Sequence, residues 1–430
     1  MSAIAPIKNK EFVDSIVNTE HIVSGFDHLR SEGLRQLETT PFPTLRSEVW
    51  KYTKVSGLLK KSFTSSPSDT KEIPDYIKSA IDGNPHIVFV NGFFNADLSQ
   101  LPEDQVRIAT LSSGNVDSQG ISALPTNWEG ENEAFTHLNA ASFTDGVSIT
   151  VEKNIKLETP LFIVHLTIGE NVSVSKRNFI QVKQGAELSV INMFDGDSET
   201  SFSNHFNSIS VEANAHLNWY DYHQDGNLSN QVNTTIADQQ GDSHLNIGSY
   251  VFGGKLLRKN FYVNILGENA DTTVNGTYIL NEKQVADHRI ILDHKAAHCT
   301  SNQMFKGVMG DQSTGVFNGK IYVRKDSQII NAFQNNRNIL LSDDANAYSR
   351  PQLEIYADDV KCSHGSTIGQ LDEEALFYMQ QRGIPKKEGR ALLMYAFANT
   401  VLESVKIPEV KSRITKLIAN KLGVNLGFDL

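Results

Sequence analysis

The chain has 430 residues, 39% of them hydrophobic, which is enough apolar material for a large core and for two or three domains. Fifty acidic residues against 39 basic ones give a net charge of -11, which disfavours nucleic acid as a main partner, because phosphate contacts need a concentrated basic footprint. Two cysteines, Cys299 and Cys362, make neither a disulfide scaffold nor an all-cysteine cluster site within one chain. No stretch approaches about 18 continuous apolar residues, and MSAIAPIKNKEF lacks the stages of a secretory signal. The expectation is a cytoplasmic protein with free thiols and no membrane association.

Residues 1–80 read as an N-terminal helical and loop-like region. Phe12, Ile16, Ile22, Phe26 and Leu29 give broken helical periodicity between Glu11 and Leu37, and Pro41 and Pro43 stop it. TPFPTLRSEVWKYT follows, where Trp50 and Tyr52 are placed to cover a neighbouring domain. SFTSSPSDT (Ser62–Thr70) has linker composition. Residues 81–146 form a mixed transition region. HIVFVNGFF is a compact strand with a turn at Asn91-Gly92. GNVDSQGISALPTNWEG reads as loop, and ENEAFTHLNAASFTDG carries one short helix that ends near Asp145-Gly146.

Residues 147–370 change character. Short β-rich runs such as LFIVHLTI, VSVSKRNFIQV, HLNWYDY, LLRKNFYVNIL and VADHRIIL recur without a convincing long helix. Polar turns punctuate them at Gly169-Glu170-Asn171, Gly185-Ala186-Glu187, Ala213-Asn214, Gly267-Glu268-Asn269, Gly310-Asp311, Lys325-Asp326, Asp343-Asp344 and Asp358-Asp359. Spacing of roughly 16 residues suits a β-solenoid whose strands stack rung on rung. A large β-sandwich is the rival, and it calls for clearer hairpin loops.

Residues 371–430 read as a helical tail. Asp372 caps a first helix, and Gly383 ends it in a left-handed conformation. Pro385 opens a second helix and Pro408 a third. Their apolar faces need burial, either on the solenoid end or against a partner.

Three segments carry candidate chemistry. GVFNGK (Gly315–Lys320) fails as a phosphate loop on spacing, on the Ile321 that follows it, and on its β-rich context. DHRIILDHKAAHC gathers Asp287, His288, Asp293, His294, His298 and Cys299; these are metal-ligand types, with polar packing and an inert Cys299 as the plainer reading. DDVKCSHGSTIG puts Cys362 and His364 two residues apart, hence on one face of a strand. A nearby imidazole can stabilise a thiolate or supply a nitrogen ligand, but two residues do not complete an iron-sulfur site, so a second protein must add ligands. Asp358, Asp359 and Lys361 adjust the local field.

The run QNNRNILLSDDANAYSRPQLEIYADDVKCSHGSTIGQLDEEALFYMQQRGI resembles the SufB/SufD family of iron-sulfur cluster assembly proteins, and HKAAHCTSNQMFKGVMGDQSTGVFNGKIYVRKDSQIINAFQNNRN strengthens the match. TPFPTLRSEVWKYT and FVNGFF look most like the SufD members. The resemblance spans nearly the whole chain. It implies a mainly β fold, a right-handed parallel β-helix core flanked by N-terminal and C-terminal helical regions. It implies a scaffold role beside SufB and the ATPase SufC, with sulfur donors acting through SufB and no ATP hydrolysis in this chain. It implies His364 as a ligand or organiser of the nascent cluster at the SufB interface, with Cys362 second, and Asp372 to Val405 as the region that docks SufC. No cofactor is expected to be tightly bound to the isolated chain; a transient iron-sulfur cluster belongs to the complex. Self-association of the isolated chain through an exposed edge is a further expectation. An independent metal-binding solenoid using His298 and Cys299, and a purely structural interaction protein, stand as alternatives.

Overall fold

The computed structural model describes residues 9–17, 20–70, 72–102, 106–114, 116, 133–198 and 200–423. The loop expected over 114–130 lies almost wholly outside them. In chain order the chain forms helices α1 (Lys10–Val17), α2 (Asp27–Leu37) and α3 (Asp75–Ile81), then strands β1 (His86–Val90), β2 (Phe93–Phe94) and β3 (Val106–Thr110), then helix α4 (Ala134–Ser142). Strands follow without an intervening α-helix: β4 (Val147–Val151), β5 (Leu161–Leu166), β6 (Glu170–Val182), β7 (Glu187–Asp195), β8 (Thr200–Val211), β9 (His216–His223), β10 (Ser229–Gln239) and β11 (His244–Val251). The run continues through β12 (Leu256–Ile265), β13 (Asp271–Leu280), β14 (Val285–His294), β15 (Thr300–Met309), β16 (Thr314–Val323), β17 (Ile330–Leu340), β18 (Asn346–Ile355) and β19 (Val360–Gly369). Helices α5 (Glu373–Gln381), α6 (Lys386–Asn399) and α7 (Pro408–Leu422) close the described chain.

Odd-numbered strands from β5 to β19 stack in one sheet and even-numbered strands from β4 to β18 in the other. Every pairing along these two stacks is parallel, so the core is a parallel β-solenoid of about eight turns with two strands per turn. The full period is set by the register. Asp271 pairs with Thr300, 29 residues on, and Thr300 pairs with Asn331, 31 residues on. The spacing of roughly 16 visible in the sequence is half a turn. β1 joins the odd sheet by pairing in parallel with β5, so that sheet begins inside the segment read as transitional.

The corners explain the turn residues. Asn154, Gly185, Asn214, Asp242, Asn269 and His298 all have positive φ, from 55° to 68°. Asn and Asp tolerate this left-handed region better than other non-glycine residues. These corners stack: Asn214 N–H donates to Gly241 O at 3.0 Å, and Asp242 N–H to Glu268 O at 2.8 Å. Between corners, side chains alternate in and out with period two. The inward rows supply a continuous apolar core that includes Ile163, Val190, Leu217, Ile247, Val274, Ile290, Phe305 and Ile321.

Helical regions cover the two outer faces. The N-terminal segment and α4 bury Phe12, Trp50, Phe63 and Phe135 against Phe202, Val232 and Leu256 of the even sheet. Trp50 also lies under the Arg258 guanidinium, 4.4 Å from it. α6, α7 and the turn between them bury Met394, Val401, Ile414 and Ile418 against Phe162, Ile191, Tyr220, Tyr250 and Val308 of the odd sheet. The tail therefore packs on a flank of the solenoid rather than on its end. Asp372 accepts from the Ala375 N–H at 2.9 Å as the α5 cap, and Gly383 takes φ 87° after it. Pro385 sits one residue before α6 rather than at its first position, whereas Pro408 is the first residue of α7.

Candidate functional site

β18 and β19 form the last rung. Each pairs on one side only, β18 with β16 and β19 with β17, so this end of the solenoid is open among the described residues. The backbone groups on the free sides of both strands are available for another strand. Ile355, Tyr356 and Ile368 are exposed at this rung, which gives the open end an apolar rim.

Val360, Cys362 and His364 take the inward row of β19, in register with Ile330, Ala332 and Gln334 of β17. The shared face expected for Cys362 and His364 is therefore the face that continues the core. Cys362 is half-buried and packs on the core. Burial pushes its thiol up from the usual range, with the Ala332 backbone pulling the other way. The isolated chain thus holds Cys362 as a neutral thiol near pH 7, without the cationic surroundings that activate a thiolate. His364 is exposed at the mouth of the core. Asp358, Asp359 and Lys361 sit on the exposed corner beside it, where the Asp359 N–H donates to Gln328 Oε1 at 2.9 Å.

The ligand types between Asp287 and Cys299 do not converge. Asp287 pairs with Arg258 and Thr53 on the outer face of the even sheet. His288 and His294 point into the core, bonded to Ser249 Oγ at 3.0 Å and Ser301 Oγ at 2.9 Å. Asp293 is held by Arg324 at 2.7 Å. His298 occupies a left-handed corner and Cys299 turns inward, its thiol donating to Gly267 O at 3.3 Å. Among the described residues no group of three or more His, Cys, Asp or Glu side chains is placed to hold a metal ion. The His298/Cys299 metal solenoid loses its geometric basis.

A buried polar file escaped the sequence reading. Lys176, His205, Asn233, Lys259 and His288 stack in register on successive even strands, facing Asp221 and His223 across the core. Lys259 ion-pairs with Asp221, and Lys176 Nζ lies 3.0 Å from His165 Nδ1. Burial drives His205 and His223 well below the usual imidazole range and His288 down to about 3. Phe305 and Phe317, with ring centroids 5.3 Å apart, close the file before it reaches the open end. The signal was present as a polar residue mid-strand recurring once per turn, but it shows only once the register is known.

Comparison with known proteins gives a consistent family. The family model described as SUF system FeS cluster assembly, SufBD core domain, matches residues 165–397, more than half of the chain. The iron-sulfur cluster assembly protein SufD of Escherichia coli (strain K12) is 31% identical over 398 residues, covering 90% of this chain and 91% of that protein. A SufBD family iron-sulfur cluster assembly protein of Synechocystis sp. is 28% identical over 396 residues, covering 88% and 87%. SufD of Bacillus subtilis (strain 168) is 23% identical over 435 residues, covering 96% and 98%.

Proposed function

Because this chain belongs to the SUF-system SufBD family of iron-sulfur cluster assembly proteins, we propose that it is a non-enzymatic scaffold subunit that supports assembly and transfer of nascent clusters at an interface with SufB. The observation that carries the reading is the open last rung. It joins an unpaired strand edge, an apolar rim and the Cys362/His364 pair in one place. A partner solenoid that adds its own last rung there continues both sheets and brings its ligands to His364. The cluster is cargo at that junction. The isolated chain supplies too few ligands to keep it, and sulfur enters through the partner. Without SufB, the same edge can take a second copy of this chain.

The ATPase partner, SufC, docks on the helical tail. Phe377 and Tyr378 of α5 are 62% and 61% exposed, while the neighbouring Leu376 is buried. Two adjacent exposed aromatics on a short helix suit the buried anchor of a protein interface. Approach of two ATP-bound SufC subunits then moves the tail against the solenoid flank and biases the junction between two arrangements.

The test is co-purification with SufB and SufC, with anaerobic iron and sulfide quantified for wild type and His364→Ala. The expected result is an intact complex with lost cluster loading. Normal loading in an intact complex sinks the role given to His364.

A further inference from the structure

The geometry assigns Gln334 as the residue that orients His364. His364 is in register with Gln334 on β17, and Gln334 with Gln303 on β15. All three lie on the inward row. Gln334 is 2% exposed and Gln303 is fully buried. Gln334 Nε2 donates to Gln303 Oε1 at 3.4 Å, so the amide nitrogen points toward the preceding rung. The oxygen and nitrogen of one amide diverge, so Oε1 is turned away from the Gln303 contact. Gln334 Oε1 is buried and has no hydrogen-bond partner. A buried carbonyl oxygen is costly to leave unpaired; Gln303 Nε2 below is also unpartnered, and the donor within reach on the terminal rung is the side chain stacked above.

That side chain is His364, whose neutral ring has one N–H to give. Rotation about its side-chain torsions brings the N–H onto Oε1. The other ring nitrogen then keeps its lone pair toward the open end, where a partner's rung would lie. Ligating histidines are commonly set in this way, by a carbonyl or carboxylate that fixes the tautomer and the ring plane. Gln303 holds the Gln334 amide, and Gln334 holds the imidazole. Gln334 is thus a positioning residue. Its purpose rests on the role proposed for His364; the geometry does not.

The experiment is the imidazole 15N spectrum of the full-length isolated chain at about pH 9, where an ordinary histidine ring is neutral. The His364 signals are identified by their loss in His364→Ala. Gln334→Met removes the acceptor at similar length. The expected result is one fixed tautomer in wild type, and in Gln334→Met a shift to the average of two exchanging tautomers. If Gln334→Met does not fold, Gln334→Ala carries the same readout without inserting a thioether. A wild-type ring already in tautomer exchange, or a fixed tautomer that survives loss of the acceptor, overturns the assignment. A fixed tautomer that depends on Gln334, alongside normal cluster loading in His364→Ala, supports the positioning and overturns the function proposed for His364.

Discussion

Tyr52 lies flat on Tyr348, with ring centroids 3.9 Å apart and planes 9° from parallel. Tyr348 is on β18, so the N-terminal segment clamps the strand that ends the even sheet. Glu48 adds a contact to Arg350 on the same strand, at 2.7 Å. A strand paired on one side only frays more readily than an interior one. The stacked ring is therefore placed where it holds the open end in shape.

Replacing Tyr52 with alanine is expected to lower stability by about 1 kcal/mol, the usual worth of an aromatic pair beyond its buried area. Hydrogen exchange should rise in β18 and much less in β12 or β14. Uniform exchange across the even sheet would show that the clamp does not act on the last rung.

The Lys259–Asp221 pair is fully buried, and its charges are compensated mainly by each other. Removing one partner strands the other charge, which typically costs about 3–5 kcal/mol. Asp221→Ala should therefore be much worse than the double variant Asp221→Leu/Lys259→Met, which leaves no charge behind. Urea midpoints of the single and double variants measure the difference. Equal destabilisation would mean that volume, not charge, governs the site.

Acid should weaken the fold through the core histidines. His288 is pushed down to about 3, first by burial and then by Lys259 and Arg258; burial pushes His294 down to about 4. For a base with a depressed folded pKa, the unfolded chain binds more protons between the folded value and about 6.5. Stability from these groups is complete above that range and is lost as pH falls through it. Two carboxyls oppose this. Asp195 and Asp225 are raised by burial to about 6 and about 7, so the folded chain binds more protons at those sites over the same range. Unfolding free energy measured from pH 7 to 4 should still fall for wild type, because His165, His205 and His223 are also held well below the usual range by burial. His288→Gln should flatten the slope by up to one proton. An unchanged slope would contradict a neutral buried His288.

Phe377→Asp on α5 is expected to leave the fold intact, since the side chain already faces solvent. SufC binding should fall by at least tenfold, the loss of an aromatic anchor worth about 1.4 kcal/mol or more. Calorimetric titration against SufC checks this, and wild-type affinity would move the docking site elsewhere.

Much of the fold was legible because solenoid corners need particular residues. Gly185, Asn214, Asn269 and Asp311 were readable as turns, and each adopts positive φ. The period was readable only as half a turn, because a sequence shows corners but not which sheet a strand returns to. The shared face of Cys362 and His364 followed from strand periodicity alone. Gln334 beneath them did not, since it lies 30 residues away and meets His364 only through the β17–β19 register. The cluster from Asp287 to Cys299 misled for the opposite reason. Those residues are adjacent in sequence, but a strand, a corner and the next strand send them to the outer face, the core and solvent.

The measurement that bears most directly on the scaffold reading is the partner profile of Ile368→Asp. This substitution places a charge on the exposed rim of β19, on a different element from the aromatic pair on α5. Tagged wild type and variant are co-expressed with SufB and SufC, and each partner is quantified after purification. Loss of SufB with SufC retained is the predicted result, since the proposed function gives the open rung and the helical tail to different partners. SufB retained at the wild-type level would contradict the open rung as the interface.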